Sequence, residues 1–483
     1  MPKLQTKKAK LEPAIIVIFG LTGDLARRKL LPALYYLVKN DLLDKDTRIV
    51  GISRGEVSVK EVVKGLSKSL RAQGDSCQNS VRRKLEKMIS MRQMNLEDAA
   101  HYKDLGTALD KIEDQHNVHM NRLFYLSIPP QMFEPVINKM GMHGLNGSCQ
   151  HGAAVTRLLV EKPFGYDQNS AKELIEQMSQ HFGEDQIFRI DHYMAKETVQ
   201  NILTFRLNNP VFNSIWNAKN ISHIQLTANE KIDIEGRAVF YEQTGALRDI
   251  IQSHLLQLLA ILTMEPPEHR TAEAMHAAKL QLLDSIHPVS PDKIWQNSAR
   301  GQYKNYKKEV NNPKSRIETY AALRLEIDND RWRGVPVLLR SGKALAEKVT
   351  ELCLVFKPLQ GENDSNVLTF KIQPEEGITL HLQAKKPGFE YETESVKMRF
   401  SYEQTFRDHG HPDAYERVLV DAVRGDHMLF ATSETVMSAW RIVEPVIQAW
   451  SATDERLESY QPKTWGPASA AKLAENSGLP WIR

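Results

Sequence analysis

Residues 189–197 bring several reactive side chains together in a short stretch. The groups that could do chemistry there are Asp191, His192, Tyr193 and Lys196. A short apolar run precedes them, so the pattern predicts a strand over 186–190 and a helix that begins near Asp191. On such a helix the last three groups would share one face, because residues three and four apart are neighbours. That face suits an anionic ligand with hydroxyl groups, most simply a phosphorylated sugar. In the alternative interpretation, Asp191 is only a helix N-cap and the other side chains form an exposed polar face.

A second cluster, residues 248–254, opens an apolar helix and contains Asp249 and His254. A buried neutral imidazole can accept a proton near neutral pH, particularly when a carboxylate holds its other ring nitrogen. The alternative is a core histidine whose hydrogen bonds are satisfied.

A third cluster, residues 339–345, presents Lys343 at a glycine turn after an apolar strand, and Lys348 follows soon after. The turn would place one or two cations at the end of a strand. Each of the three clusters, taken alone, is also compatible with a structural role.

The elements before these clusters alternate between apolar runs and amphipathic segments. Strands are predicted at 14–19, 47–53, 91–95, 122–128 and 156–161, with gaps long enough for crossover helices. The first run is wholly apolar, as a parallel strand buried on both faces should be. The sequence therefore predicts a doubly wound, Rossmann-type α/β domain, and we assign it residues 1–185.

The turn after the first strand has the composition of a dinucleotide-binding turn. Its residues are Gly20, Leu21, Thr22, Gly23, Asp24, Leu25 and Ala26. Gly20 allows a tight turn, Gly23 lets a phosphate approach the backbone, and Ala26 permits close packing of the following helix on the strand. Because backbone N–H groups at a helix start bind anions, nucleotide binding is favoured over a purely structural turn.

The end of the second predicted strand indicates which dinucleotide binds. NAD-selective sites usually place a carboxylate there for the ribose 2′-hydroxyl, whereas this chain has Arg54, which can pair with a 2′-phosphate. Glu56 lies close by, so NAD stays the weaker alternative to NADP.

Lys162 ends the last strand of the domain and precedes Pro163. The proline restricts Lys162 to an extended conformation, so its ammonium group is aimed with less loss of entropy. Ligands bind at this edge of open α/β sheets. The alternative is an ordinary strand-ending turn with a surface lysine.

The chain beyond residue 185 has a different pattern. Predicted strands are 221–227, 319–327, 335–340, 350–356, 367–372, 379–383 and 397–402, and predicted helices are 197–205, 246–264, 271–284, 414–424 and 434–450. Many of the strands lie only a loop apart, so their simplest pairing is antiparallel. Residues 186–483 are therefore predicted to form an α+β domain with helices on one face of a large antiparallel sheet, whose outer face supports a dimer.

Composition excludes several classes of function. The 483 residues are 41% hydrophobic and 25% charged, which is typical of a globular protein, and a net charge of +3 without long basic tracts gives little support for nucleic-acid binding. No run approaches the roughly 20 apolar residues that span a bilayer, so no membrane association is expected. The three cysteines, Cys77, Cys149 and Cys353, lie far apart, which favours a reducing, cytoplasmic compartment and argues against a metal site. We interpret the lysines before residue 11 as a basic tail.

Taken together, the motifs resemble the glucose-6-phosphate dehydrogenase family. They are Gly20-Leu-Thr-Gly-Asp-Leu-Ala, Glu161-Lys-Pro-Phe-Gly, Arg189-Ile-Asp-His-Tyr-x-x-Lys-Glu, Glu235-Gly-Arg, Arg248-Asp-x-x-Gln-x-His-Leu-Leu-Gln, Arg340-x-Gly-Lys-x-Leu, Tyr415-Glu-Arg, Arg424-Gly-Asp, Phe430 and Trp465-Gly-Pro. The resemblance covers nearly the whole chain. It implies oxidation of D-glucose 6-phosphate at C1 to 6-phospho-D-glucono-1,5-lactone with reduction of NADP, in the pentose phosphate pathway. It also implies a homodimer or a dimer of dimers.

The resemblance assigns a role to each motif residue. His254 corresponds to the family's general base, and Asp191 to the carboxylate that orients it. His192, Tyr193 and Lys196 correspond to the phosphate clamp, with Lys343, and Lys348 beside it, as a second cationic side of the pocket. Further sugar contacts are implied for Glu230 and Asp249. Lys162 resembles the lysine that bridges cofactor and sugar, and the Lys-Pro bond that follows it is cis in relatives.

Three positions depart from the family pattern. Ala195 replaces a glycine in the phosphate clamp, residues 237–242 lack the glycines usual after Glu235-Gly-Arg, and Ser253 stands where asparagine is common. These changes leave open an altered sugar or a preference for NAD. A protein that binds the nucleotide as a sensor without turnover is the alternative from another class.

Overall fold

The computed structural model describes residues 10–147, 154–360, 364–406, 412–475 and 478–482. Within it the chain forms two compact units. The parallel-sheet unit comprises the described residues up to Phe164, Lys172–Ala195 and Pro412–Ser433. The mixed-sheet unit comprises those of Gly165–Ala171, Lys196–His411 and Glu434–Arg483. The basic tail before Lys10 and Cys149 lie outside the described residues, while Cys77 and Cys353 are free thiols.

Six parallel strands form the sheet of the first unit. They are β1 (Ala14–Phe19), β2 (Arg48–Ser53), β3 (Ile89–Gln93), β4 (Asn121–Leu126), β5 (Thr156–Glu161) and β6 (Ile187–Ile190). Their order in the sheet is β3-β2-β1-β4-β5-β6, which is the doubly wound order with a switch point between β1 and β4. All six residues of β1 are buried, because helices cover both faces of such a sheet.

The sheet extends past the predicted domain end at residue 185. Strand β6 pairs in parallel with β5 through Leu158 and Ile187, so its apolar residues complete the first core. The division at 185/186 itself stays a prediction.

Nine strands form the sheet of the mixed-sheet unit. They are β7 (Ile221–Asn229), β8 (Ser298–Tyr303), β9 (Tyr320–Glu326), β10 (Pro336–Gly342), β11 (Val349–Phe356), β12 (Val367–Gln373), β13 (Gly377–Lys385), β14 (Thr393–Ser401) and β15 (Leu457–Tyr460). Their order is β14-β13-β12-β11-β7-β10-β9-β8-β15. Most neighbours are antiparallel, as predicted, but β10 pairs in parallel with β7, and β15 with β8. The parallel pairs follow long connections, which can return a strand in the same direction.

The described helices, in chain order, are α1 (Leu31–Lys39), α2 (Val59–Val63), α3 (Leu66–Ala72), α4 (Asn79–Met88), α5 (Ala99–His116), α6 (Phe133–Met142), α7 (Gln168–Ser179), α8 (Glu197–Asn208), α9 (Pro210–Asn213), α10 (Ala238–Ala246), α11 (Leu256–Thr263), α12 (Ala272–Asp284), α13 (Ile294–Asn297), α14 (Tyr306–Glu309), α15 (Tyr402–Thr405), α16 (Ala414–Arg424), α17 (Ser433–Ala452) and α18 (Ala468–Glu475). Two π-helical segments, Ala26–Leu30 and Leu247–Leu255, lead into α1 and α11. Short 3₁₀ turns lie at Pro130–Met132, Glu184–Gln186 and Pro291–Lys293. Within the described ranges, no helix has both the length and the apolar character that a membrane crossing requires.

Candidate active site

The glycine turn at the end of β1 lies at the switch point of the parallel sheet. Gly20 has a φ of 84°, and its N–H donates to the carbonyl of Ile52 at 3.0 Å. A Cβ at this position would come within 2.3 Å of the carbonyl oxygen of Ser127, which follows β4. Only glycine therefore fits the turn, both for its conformation and for the space it leaves.

The second glycine completes the same turn. The N–H of Gly23 donates to the carbonyl of Gly20 at 2.8 Å, and the carbonyl of Gly23 accepts the N–H of Arg27 at 3.1 Å. The N–H of Gly23 is thus used inside the turn. Its lack of a side chain leaves room beside the backbone, where a phosphate was predicted to approach. Leu21 and Ala26 are fully buried, whereas Thr22 and Leu25 are partly exposed and Asp24 is exposed.

Arg54 is exposed and directly follows β2, the strand that neighbours β1 in the sheet. Its carbonyl accepts the side-chain amide of Gln93 at 3.1 Å, and the hydroxyl of Ser53 donates to the carbonyl of Gly55 at 2.8 Å. These bonds fix the backbone while the guanidinium group stays at the surface. Glu56 is exposed as well, so NADP selectivity stays a prediction.

Lys162 follows β5 and is joined to Pro163 by a cis peptide bond. The preceding Glu161, which opens the motif Glu161-Lys-Pro-Phe-Gly, is a functional candidate for which no role was predicted. The hydroxyl of Tyr125 donates to Glu161 Oε1 at 2.5 Å. Burial raises the pKa of Glu161 to about 7, although the hydrogen bond from Tyr125 and the charge of Lys162 act in the opposite direction. A carboxyl group that binds a proton near neutral pH therefore lies beside the predicted bridging lysine.

The predicted helix over 191–196 is wrong. Asp191 Oδ1 accepts the backbone N–H of Tyr193 at 2.9 Å, and the N–H of Met194 donates to the carbonyl of Asp191 at 3.0 Å. These bonds close a turn, because an aspartate side chain can accept a hydrogen bond from the backbone N–H of the second residue after it. Lys196 has φ −74° and ψ 140°, so α8 begins only at Glu197, with Lys196 as its N-cap.

Consequently His192, Tyr193 and Lys196 do not share a helix face. His192 is partly exposed and Tyr193 is 8% exposed, and their ring centroids lie 5.0 Å apart in the parallel-sheet unit. Lys196 belongs to the mixed-sheet unit. The grouping of these three residues as a phosphate clamp stays a prediction.

In the mixed-sheet unit, Asp249 and His254 lie on the π-helical segment Leu247–Leu255, where they are 8% and 0% exposed. The start of the segment is held by Glu318, whose Oε1 accepts the N–H of Leu247 at 3.0 Å and whose carbonyl accepts the N–H of Ala246. Gly245 has a φ of 64°, and a Cβ there would lie 2.3 Å from Glu318 Oε1. Glu318 thus positions a helical segment of a type that often occurs at functional sites, although no local sequence pattern indicates that role.

The same segment packs against β7, β9 and β10. Glu230 directly follows β7, and Lys343 directly follows β10. Their side chains form a short ion pair in which the Lys343 side chain is 3% exposed and that of Glu230 is 29% exposed. The structure therefore brings the second and third sequence clusters together on neighbouring elements. It also pairs Lys343 of the third cluster with the carboxylate of Glu230.

The backbone around Lys343 is fixed on several sides. The hydroxyl of Tyr460 donates to the carbonyl of Lys343 at 2.7 Å, and the ring of Tyr241 lies 5.6 Å from its ammonium group. Ala344 adopts a φ of 52°, with its N–H donating to the carbonyl of Ile232 at 2.8 Å. Lys348 is exposed before β11. Its predicted place beside Lys343 in the pocket stays a prediction.

The departures from the family pattern fit the structure locally. Ala195 is 2% exposed and has no positive φ, so the turn does not require glycine there. The hydroxyl of Ser253 donates to the carbonyl of Asp249 at 2.5 Å. Ala238 begins α10, and Val239 is 79% exposed, so the segment that lacks the family's glycines leads into a helix, which is interrupted only later, at Gly245.

The parallel sheet and its glycine turn define a dinucleotide-binding domain, and the mixed-sheet unit carries buried acid, base and cation side chains. This combination is typical of nicotinamide-dependent oxidoreductases. Residues 17–201 match the family model described as glucose-6-phosphate dehydrogenase, NAD binding domain, and residues 203–482 match that of the glucose-6-phosphate dehydrogenase C-terminal domain. The chain belongs to the glucose-6-phosphate dehydrogenase family, which confirms the predicted resemblance and fold class.

Two relatives and a solved structure match nearly the whole chain. Glucose-6-phosphate 1-dehydrogenase from Aggregatibacter actinomycetemcomitans is 39% identical over 490 residues, covering 98% of each chain. The Chlamydia muridarum protein of the same name is 37% identical, covering 97% of this chain and 96% of its own. A solved glucose-6-phosphate dehydrogenase in complex with its substrate glucose-6-phosphate has a TM-score of 0.89 at 29% identity, covering 99% of this chain and 100% of its own.

Proposed function

We propose that the protein oxidises D-glucose 6-phosphate at C1 to 6-phospho-D-glucono-1,5-lactone and transfers the hydride to NADP. The observation that carries the proposal is the Glu230–Lys343 ion pair beside the helical segment with Asp249 and His254. Carboxylates and an ammonium group on neighbouring elements can hydrogen-bond several sugar hydroxyls. The family match over the whole chain supports this reaction over other hydride transfers.

The chemistry requires a base at the sugar. Hydride leaves C1 only as the C1 hydroxyl loses its proton, and in this proposal His254 accepts that proton. A positioned base is worth about 10²–10⁴-fold in rate. Asp191 is proposed to select the tautomer of His254 and to stabilise the imidazolium that forms. NADP, when bound, supplies the hydride acceptor.

The ion pair changes the role that we propose for Lys343. Because Glu230 neutralises its charge, Lys343 is better suited to donate to sugar hydroxyls than to balance a phosphate dianion. The phosphate then depends on His192, Tyr193 and Lys196. We expect Lys196→Gln to raise the KM for glucose 6-phosphate far more than it changes kcat.

The glycine turn and Arg54 are proposed to hold NADP, with the pyrophosphate at the turn and the 2′-phosphate at the guanidinium group. Lys162 is proposed to contact both cofactor and sugar. The exposed Glu56 favours limited NAD use as the second candidate, since a carboxylate near this strand end can bind a ribose 2′-hydroxyl.

A panel of initial rates tests the proposed function. Absorbance at 340 nm is followed with NADP or NAD, each with glucose 6-phosphate or free glucose. The expected result is the highest kcat/KM with NADP and glucose 6-phosphate. Faster turnover of free glucose would contradict the assignment of glucose 6-phosphate as the substrate, and faster turnover with NAD would contradict the assignment of NADP as the cofactor. The absence of turnover with every pair would contradict the proposed enzymatic activity.

We further propose a homodimer, or a dimer of dimers, built on the β13–β14 end of the mixed sheet. Strand β14 is an edge strand, and Met398 on it and the nearby Tyr391 are 62% and 87% exposed. Exposed apolar side chains on and beside an edge strand invite contact with a second copy. Light scattering should show that Met398→Lys weakens the dimer, whereas Met142→Lys, at a similarly exposed site in the other unit, leaves it intact.

We also propose a cytoplasmic location, which the free thiols Cys77 and Cys353 support because reducing compartments preserve thiols. Fractionation of cells that produce the protein, followed by immunodetection, checks this location. Recovery with a secreted fraction contradicts it.

A further inference from the structure

A large cavity lies at the other edge of the mixed sheet, around β8 and β15. Its volume is about 1040 Å³, and its lining contains five cationic side chains and one carboxylate. These are Lys293, Arg300, Arg324, Arg456, Lys472 and Glu458. None of them belongs to the proposed active site.

Arg300 is the most deeply placed of these cations, with 2% exposure. Its guanidinium group donates to the backbone carbonyls of Trp450, Thr453 and Glu455 at 2.6–2.8 Å. Its Nε is buried without a hydrogen-bond partner among the described residues. Carbonyl groups satisfy hydrogen bonds but do not neutralise a charge, so this cation lacks a counter-ion at ion-pair distance within the described chain.

Arg324 has spare donor capacity as well. It donates to Asn297 Oδ1 at 3.1 Å and pairs with Glu326 at 3.0 Å. Its Nε is again buried with no hydrogen-bond partner in the described structure. A buried donor left unpaired costs free energy that an anionic ligand would recover.

The carboxylate in the cavity lining is engaged elsewhere. Glu458 accepts the backbone N–H groups of Ala468 and Ser469, both at 2.9 Å, at the start of α18. It therefore serves the helix terminus and does not reach an ion pair with the arginines among the described contacts.

An aromatic ring holds two of the arginines in place. The guanidinium carbons of Arg300 and Arg456 lie 5.7 Å and 5.1 Å from the centroid of the Trp295 ring. Arg456 itself has a φ of 63°, an uncommon conformation for a residue with a Cβ. Cation–π contacts reduce the freedom of both side chains, so less entropy is lost when they bind a ligand.

We propose that this cavity binds a small-molecule anion with two or more phosphate groups. Five lining cations, of which Arg324 is paired with Glu326, against one engaged lining carboxylate exceed the needs of a single phosphate. The volume leaves room for a chain of phosphates with an attached nucleoside. Arg300 and Arg324 offer their Nε donors, which no described residue satisfies, and a planar guanidinium group such as that of Arg456 matches phosphate oxygens in pairs. The ligand class is therefore polyphosphate, either free or carried by a nucleotide.

Calorimetric titration of the full chain with tripolyphosphate or with ATP, without divalent metal, tests the proposal. Glucose 6-phosphate and NADPH are present at saturation, since they occupy the proposed active site without turnover. The test variant is Arg324→Gln/Arg456→Gln. The matched control is Lys307→Gln/Lys308→Gln, which removes the same charge from exposed positions of α14 in the same unit.

The expected result is saturable binding that the arginine variant weakens by about tenfold for each arginine and the lysine variant leaves unchanged. If only ATP binds in this manner, the nucleoside also contributes and the proposal holds. Absence of binding by both ligands, or equal weakening in the two variants, overturns it. Heat of binding does not depend on turnover, so the result is independent of the proposed dehydrogenase activity.

Discussion

The two units offer their functional groups in different ways. In the parallel-sheet unit the glycine turn presents backbone, and a methyl group at Gly20 would collide with the carbonyl of Ser127 at 2.3 Å. In the mixed-sheet unit the groups are side chains, such as the buried His254 and Lys343 and the partly exposed Glu230 that pairs with Lys343. Backbone recognition depends on space and conformation, whereas side-chain chemistry depends on charge and protonation. The two regions should therefore fail under different substitutions.

The largest expected effect is in the mixed-sheet unit. His254→Ala should lower kcat by about 10²–10⁴-fold, because the base is lost, with little change in the binding of glucose 6-phosphate. His223 is a suitable control, since it is another buried histidine of the same unit and burial lowers its pKa to about 4. Steady-state kinetics should show His223→Ala with near-native kcat. A correctly folded His254→Ala protein with native kcat would overturn the base assignment.

The parallel-sheet unit has one partly buried ionisable group that sharpens the comparison, Glu161. Its pKa in the folded state, about 7, lies above its ordinary value of 4.5. Between these values the folded state binds more protons, so the free energy of unfolding falls as pH rises, by up to about 3 kcal/mol. The contribution is fully present below pH 4.5 and is lost above pH 7.

Glu161→Gln should remove this pH dependence, since the amide oxygen can still accept the hydrogen bond from Tyr125. Urea denaturation at pH 5, 6, 7 and 8 measures the slope. Glu173→Gln, at an exposed position of α7, is the control and should keep the native slope. An unchanged slope in the Glu161→Gln protein would show that this carboxyl group titrates normally.

Two glycines of the parallel-sheet unit allow the effect of a left-handed backbone conformation to be separated from the effect of a steric clash. Gly20 and Gly74 have nearly the same φ, 84° and 85°, but a Cβ at Gly20 would meet other atoms within 4 Å, whereas one at Gly74 would meet none among the described residues. Gly74→Ala should cost about 1–2 kcal/mol of stability, from the left-handed conformation alone, and leave NADP affinity unchanged. Gly20→Ala should cost more and weaken NADP binding by at least roughly tenfold, with native affinity for glucose 6-phosphate. Equal effects of the two substitutions on NADP affinity would show that the turn does not form the cofactor site.

The parallel sheet was the easier part to predict from the sequence. Strands β1 and β5 have the predicted bounds, because runs of buried apolar residues between turns leave little choice of structure. Strand β8 was missed because its buried residues include Arg300 and Gln302, which break the apolar pattern. Strand β15 has only four residues and pairs with β8 over a long sequence distance.

In the candidate site, too, features set by neighbours in sequence could be predicted and contacts between distant residues could not. The residues of the glycine turn could be identified because the motif is local, and its conformation depends on neighbours in sequence. The Lys343–Glu230 pair joins residues 113 positions apart, and no local pattern reports such a contact. The turn at Asp191 was mistaken for a helix because an aspartate before a polar stretch can cap a helix or close a turn with the same side-chain oxygen.

The smallest expected effect concerns the side chain of Arg54, which follows β2 beside the glycine turn. Arg54→Gln should reduce the preference for NADP over NAD by about tenfold, because one charged contact to the 2′-phosphate is lost while the turn is intact. Ratios of kcat/KM for the two cofactors measure this. Arg92 lies on β3, exposed and paired in register with Ile52, and is the matched control. If Arg92→Gln alone changes the ratio, the 2′-phosphate is bound from β3. If neither substitution changes it, a group other than these two arginines recognises the 2′-phosphate.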